Sequence, residues 1–507
     1  MRPLIFVLMA GTGLLACNGG SDSDTPASAS TDAVPSSTSS SNTNTAADTA
    51  NSVRETVQAL SPTSSTSSDT LATRSSPARD PGPRATSGDA GGPLDGLTTA
   101  QQYAFGVGKE DFNEAEEPDE GLGPTFNLDS CGGCHSQPAI GGTSPKDNPQ
   151  VRMVNGRNTL PPFITANGPV REARFVRNAD GTPDGGVHGL FTVSGRPGAG
   201  SCSLTQPDFK GQLARNNVIF RIPTPLFGAG LIETIPDSEI LRNRAQAASA
   251  KQALGIGGRP NVLVAGNLIT GAPNRNGNDG TIGRFGHKAQ NKSLLIFAGE
   301  AYNVEMGITN LAFPTERDET PGCVDLAVSP NSEANFEPTA GSGFPAIDGL
   351  SSIEKFTVFM RFLAPPKPSN AVTGATAASI ASGRQTFSDV GCALCHTPSM
   401  QTYTKASIPA LSGKTVNLFS DLMLHDMGRG LADGIQQGQA GGRDFRTAPL
   451  WGLGQRLFFL HDGRTSDLRQ AIREHYSDGS EANAVTRRFF DLSDSRQQDT
   501  LNFLRSL

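Results

Sequence analysis

Two Cys-x-x-Cys-His pentads, Cys131 to His135 and Cys392 to His396, constrain this chain more than any other feature. In each, two thiols separated by two residues on a short helical turn can reach the two vinyl groups on one porphyrin edge. The adjacent imidazole then falls under the iron as an axial ligand. A redox dithiol would come with a βαβ pattern and a zinc half-site with a second cysteine pair at short range, and the sequence has neither. With seven Cys and seven His in 507 residues, one such pentad has a chance expectation on the order of 10⁻³ per chain. The chain therefore reads as holding two covalently bound haem c groups through Cys131, Cys134, Cys392 and Cys395, with His135 and His396 as iron ligands.

The remaining cysteines point to export. Arg2, the apolar run Leu4 to Leu15 and the box Leu14-Leu15-Ala16-Cys17 form a lipoprotein signal, too short to remain as a membrane span. Residues 1–16 are expected to be removed and Cys17 to carry lipid, giving a periplasmic or outer-membrane-associated lipoprotein anchored to the membrane; an ordinary secretory signal is the alternative. Cys202 and Cys323 are left as an even remainder, either a disulfide or two buried thiols. Residues 17–98 are dominated by Ser, Thr, Ala, Asp, Pro and Gly, too poor in apolar groups to offset chain entropy, so they read as a disordered tether. The net charge of −7 argues against nucleic acid as a partner.

The rest reads as mainly α: two c-type cytochrome-like haem domains, at 99–370 and 371–507, the first with a long loop-rich insertion at about 140–345. Gly108 and Phe112 precede the first pentad as Gly383 and Phe387 precede the second. In small cytochromes such a Gly lets the terminal helix approach the first. Ser493 caps an apolar-periodic stretch to Leu507, and Ser352 to Leu363 is a second helix stopped by Pro365 and Pro366. Within the insertion, Val218-Ile219-Phe220 and Val262-Leu263-Val264 are candidate short strands among loops and small hairpins.

The segments Phe445 to Trp451, Phe459 to Arg464 and Leu468 to Ile472, with Leu418 to Asp421 and His425 to Gly428 before them, resemble the C-terminal half of bacterial di-haem cytochrome c peroxidases. Gly121 to Asn127, Gly283 to Gly286 and Glu305 to Thr309 are similar to a thiol-oxidoreductase-like di-haem family related to those peroxidases. The resemblance places a distal ligand of the second haem fourteen residues after His461, at His475. The turn dipeptide Asp462-Gly463 can fix the His461 ring near a haem propionate, and Arg446 and Arg464, with forks of donors that suit carboxylates, are candidates either for the propionate charges or for ordinary surface salt bridges; the resemblance segments offer His287 or Met306 as the distal group of the first haem and Glu305 as an acid or base beside it. The resemblance further allows for calcium between the domains.

Two functions follow as expectations. In the first, a peroxidase-like oxidoreductase reduces hydrogen peroxide or another small substrate at the first haem, while electrons arrive at the C-terminal haem from a small redox protein or a quinol-linked chain. The second is a non-catalytic di-haem electron-transfer cytochrome. The 200-residue scale of the insertion favours a pocket, and hence the enzyme. The His that those peroxidases carry shortly after the first haem motif is missing around Pro149 to Met153, and the sole Trp is Trp451. Thiol oxidation, a third reading, has no residue to point to.

Overall fold

The frame is set by α1 (Thr99–Asn113), α2 (Leu294–Met306), α3 (Ser352–Phe362), α4 (Ala377–Val390), α5 (Leu468–Glu474) and α6 (Asp494–Ser506). The computed structural model describes residues 77–85, 90–195, 200–264, 268–269, 272–273, 281–323 and 349–507. The leader, Cys17 and most of the expected tether lie outside the described residues. Local signals fix the helix ends. Thr98 and Gln101 close a capping box on α1, Ser351 and Glu354 do the same on α3, and the Ser493 hydroxyl accepts from Arg496 N at the start of α6. Among the described residues no helix is long and apolar enough to cross a membrane.

The repeated Gly-x-x-x-Phe pattern marks two equivalent helix crossings. A Cβ on Gly108 of α1 would stand 3.2 Å from Phe359 Cβ of α3 and against the Lys355 carbonyl. On Gly383 of α4 it would stand 2.9 Å from Phe503 Cβ of α6 and against the Asp499 carbonyl. The phenylalanines complete the match. The Phe112 ring lies 5.0 Å from Phe359 and 6.0 Å from His135, while Phe387 lies 5.5 Å from Phe503 and 6.3 Å from His396. Thus α3 stands to the first pentad as α6 stands to the second. Each pentad is backed by a crossed helix pair whose aromatic contacts bury the elbow leading into the Cys-x-x-Cys turn.

The insertion contains short strands, among them the one expected at Val218 to Phe220. Its β1 (Glu172–Phe175) is the centre of a three-stranded antiparallel sheet between β2 (Val187–His188) and β3 (Val218–Arg221), with Glu172 opposite Arg221. The strand expected at Val262 to Val264 reduces to one bridge, Val262 to Ile282. Two backbone bonds flank it, Leu263 N to Thr281 O and Gly283 N to Asn261 O, and beside it the Asn261 side-chain amide donates to the Lys288 and Gln437 carbonyls. Helix α2 carried no stripe because it is buried over most of its surface, so its sequence lacks the polar face that reveals a helix. Cys202 and Cys323 are joined as a disulfide across 121 positions, with Cα atoms 5.8 Å apart.

Two boundaries move. Residues 77–85 and 90–98, assigned to the tether, pack against the folded part. The Asp80 carboxylate takes both Nε and Nη2 of the fully buried Arg505 at 2.7 and 2.6 Å, and Arg84 N donates to Gly454 O. Besides the charge pair and the backbone bonds, Leu94 and Leu97 join the main hydrophobic core and Ala78 the second, a few apolar side chains in a stretch whose composition is otherwise polar. The two expected haem domains also lie within one compact unit, residues 71–507. Arg221 and Lys288 of the insertion share the buried Asp433 carboxylate at 2.7 and 3.0 Å, and this pins the insertion onto the C-terminal half. A short antiparallel pair, β4 (Leu424–Asp426) with β5 (Asp444–Arg446), lies beside that contact.

Candidate functional site

Each pentad is a turn with its histidine locked from behind. The Ser130 hydroxyl accepts from Gly133 N at 3.3 Å, and His135 N closes the turn on Cys131 O at 3.0 Å. In the second pentad His396 N bonds Cys392 O at 2.9 Å. His135 Nδ1 faces the Gly142 carbonyl at 2.9 Å, and His396 Nδ1 faces the Phe419 carbonyl at 3.1 Å. A carbonyl only accepts, so Nδ1 carries the proton in both rings and Nε2 keeps its lone pair for a metal. Phe419 reaches its position with φ of 52°, a left-handed backbone that turns its carbonyl onto the ring. Burial brings both imidazoles down to about 4, so they are neutral, the form that ligates iron. All four pentad thiols are free of disulfides.

Beside each pentad lies a largely apolar cavity, the second larger than the first. The walls fit a haem. In the second cavity Arg446 and Arg456 have no carboxylate partner among the described residues; burial brings both down to about 10, and Arg446 is also repelled by Arg456. Two desolvated guanidiniums without counter-charge match two propionates. In the first cavity the buried Arg171 Nε is likewise unpaired.

The two cavities differ in what stands in them. In the second is His475, whose Nδ1 donates to Ala471 O at 2.8 Å and leaves Nε2 bare. It shares that cavity with Cys392, Cys395 and His396. In the first is a carboxyl pair. Strand alternation puts Glu172 and Arg174 on one face of β1, and the register puts Arg221 beside Glu172. Arg174 Nε donates to Glu172 Oε1 at 2.6 Å, and Asn127 Nδ2 donates to Glu305 Oε2 at 2.7 Å. Burial and then the neighbouring Glu172 charge push the Glu305 carboxyl well above its usual range, so it holds a proton and donates it to Glu172. Burial opposes the charge on Glu172, but Arg174, the bond from Glu305 and Arg221 outweigh it and keep that carboxyl ionised. The arrangement is a fixed proton donor next to a fixed carboxylate, at the wall of the first cavity.

Other expected residues are placed as follows. Met306 lines the first cavity with its Sδ 3.8 Å from Cys131 Sγ. His287 lines both cavities; its Nε2 is engaged by Ile222 O at 3.0 Å. His461 lines the second, stacked on Phe445 at 4.4 Å and edge-on to His287 at 6.3 Å. Arg446 lines the second cavity, and Arg464 is not among its lining residues. Its guanidinium is taken by Asp462 at 2.7 Å and Glu474 at 3.4 Å, outside the cavity wall, and Arg456 stands in its place. Sequence reasoning missed Glu172, Arg174, Arg171 and Arg456. His425 is no iron ligand candidate here: Asp421 and Glu481 take its two ring nitrogens at 3.0 and 2.7 Å, fixing it as a buried cation near Cys395.

No curated protein matches the chain. Among solved structures it overlaps hydrazine synthase of Kuenenia stuttgartiensis at 13% identity, covering 88% of this chain and 100% of that one, with a TM-score of 0.33. It also overlaps the diheme peroxidase BthA of Burkholderia thailandensis at 14% identity, covering 44% and 65%, with a TM-score of 0.26. A MauG-like protein associated with microbial copper homeostasis overlaps at 16% identity, covering 56% and 90%, with a TM-score of 0.28. Overlaps this loose carry no argument about the fold. The family comparison does: residues 175–507 match the model described as "Di-haem oxidoreductase, putative peroxidase". That match covers the second pentad, α2 with Glu305, and the C-terminal half, and so the chain belongs to the di-haem oxidoreductase family.

Proposed function

We propose that this protein is an exported, lipid-anchored di-haem oxidoreductase that reduces hydrogen peroxide or a similar small oxidant at the first cavity, with electrons arriving at the second. The observation that carries the proposal is the contrast between the cavities: a neutral imidazole, His475, in one, and a protonated carboxyl, Glu305, in the other. Haem supplies one-electron exchange through its iron and, where a coordination position is open, a place for a small oxidant. Cys131, Cys134 and His135 would hold the first haem, and Cys392, Cys395, His396 and His475 the second.

Reduction of hydrogen peroxide to two waters consumes two electrons and two protons. Glu305 carries a proton, and Asn127 and Glu172 fix the position of its carboxyl. Arg174 keeps Glu172 ionised, so the shared proton stays on Glu305 until the oxidant takes it. His287 and Phe297 line both cavities, so a single layer of side chains separates them, which supports direct electron passage between the haems.

Glu305→Gln tests this reading. The amide keeps the shape and the bond to Glu172 but has no acidic proton. Peroxide-dependent turnover is expected to fall by about 10²–10⁴-fold, the usual contribution of a general acid, while both haems still bind and are still reduced by dithionite. Undiminished turnover would remove Glu305 from the mechanism.

A further inference from the structure

Helix α2 presents two carboxyls to the first cavity, and the proposed reaction uses only one of them. Glu300 and Glu305 both line it, on the two flanks of the apolar stripe Phe297, Ala301 and Val304. Five residues of helix set them about 7.5 Å apart along the axis. Each is mounted on its own asparagine. The Asn127 amide donates to Glu305 Oε2 at 2.7 Å, while its Oδ1 accepts from Leu190 N at 3.0 Å. The Asn291 amide donates to Glu300 Oε2 at 2.6 Å, and Asn291 is itself fixed by an antiparallel bridge to Phe285, with bonds of 2.8 and 3.3 Å.

The two carboxyls differ in their surroundings. Glu305 shares its proton with Glu172, which Arg174 keeps ionised. Once that proton is given up, two carboxylates lie side by side with one guanidinium donating to Glu172, so Glu305 has no second proton at hand. Glu300 is buried and makes no ion pair among the described residues; its hydrogen-bond partner, Asn291, is neutral. Burial pushes its carboxyl up, and the Asn291 bond and the charges of Arg174 and Arg317 offset this only in part. A buried carboxyl with no paired cation favours its protonated form.

We propose that Glu300 is a second proton donor of the first cavity, so that the two carboxyls of α2 serve one oxygen of hydrogen peroxide each. The inference rests on the reading that peroxide is reduced in this cavity. Each oxygen of peroxide needs one proton to leave as water. As the O–O bond breaks, one oxygen takes the Glu305 proton and departs as the first water. The other takes the Glu300 proton and departs as the second, and the two electrons arrive from the second cavity. Both carboxylates then regain protons from solvent water.

The test uses the holoprotein in sequential-mixing stopped flow, with one equivalent of hydrogen peroxide added first and dithionite second, read at the haem absorbance. Glu305→Gln should slow the first step. Glu300→Gln should leave that step within about twofold of the parent and slow the second by about 10²-fold, the lower end of what a proton donor contributes. Glu300→Asp, which keeps an acidic proton, should restore most of the second-step rate. In infrared difference spectra a protonated-carboxyl C=O stretch should be lost during the second step in the parent, and that change should be missing from Glu300→Gln. Equal reduction of both haems by dithionite in every variant excludes misfolding as the cause. An unchanged second step, an equal slowing of both steps, or a carboxyl change that survives in Glu300→Gln would overturn the second donor. A first step unaffected by Glu305→Gln, with the Glu300 effects intact, would count against the Glu305 reading alone.

Discussion

Helix α1 contains two glycines two residues apart, and the structure gives them opposite roles. Gly106 has open space where a Cβ would go, with nothing within 4 Å. At Gly108 the same atom would stand 3.1 Å from the Lys355 carbonyl carbon, closer to its oxygen and 3.2 Å from Phe359 Cβ. Replacing glycine by alanine in a helix gains roughly 0.5–1 kcal/mol when nothing else changes. Gly106→Ala should therefore stabilise the protein by about that much. Gly108→Ala gains the same term, but it must push α1 away from the α3 backbone, which cannot rotate aside as a side chain could. Overpacking of this kind costs typically 1–3 kcal/mol, occasionally more, and a backbone obstacle puts it at the upper end, leaving a net loss of about 2 kcal/mol. Denaturant midpoints of the two variants, read by far-ultraviolet circular dichroism, should move in opposite directions. Because Phe112 rests on His135 four residues further on, Gly108→Ala should also perturb the first haem's absorption. If both substitutions are equally harmless, α1 and α3 do not cross at Gly108 and the equivalence of the two halves is wrong.

Asp80→Asn leaves the buried Arg505 without its carboxylate. Breaking a buried pair by removing one partner costs about 3–5 kcal/mol, and the lower end applies because Arg505 keeps the Arg456 carbonyl and the Phe459 ring. Burial opposes the charge on Asp80, but the bonds and charge of Arg505 outweigh it and hold its carboxyl below the ordinary value. Its stabilisation is thus complete above the unfolded carboxyl pKa and is lost as pH falls through the folded one, so wild type and variant should converge in urea titrations below about pH 4. His475→Gly should change the spectrum of the second haem and leave the first unaltered; an unaltered second haem would remove that ligand.

Much of this was legible because its signals are local. The pentads, the cap at Ser493, and the paired Gly108 and Gly383 each depend on residues within a few positions of one another. The carboxyl pair was not: Glu172 and Glu305 lie far apart in sequence, and only the β1 register and the position of α2 bring them together. Glu305 could be named from the family resemblance, whereas Glu172 and Arg174 sit in a four-residue strand too short to show a pattern. The exchange of Arg464 for Arg456 had a readable sign, since Asp462 stands two residues before Arg464 and takes its guanidinium. Helix α2 was hidden because burial over most of its surface removes the polar face that reveals a helix.

The central claim is that the two haem sites have different jobs. Electron paramagnetic resonance of the oxidised holoprotein tests it most directly. The account predicts a high-spin signal from the first haem, where peroxide finds an open position, and a low-spin signal from the second, held by His396 and His475; adding peroxide should bleach or shift the high-spin signal. Two low-spin signals, both unchanged by peroxide after partial reduction, would contradict it and leave an electron-transfer cytochrome.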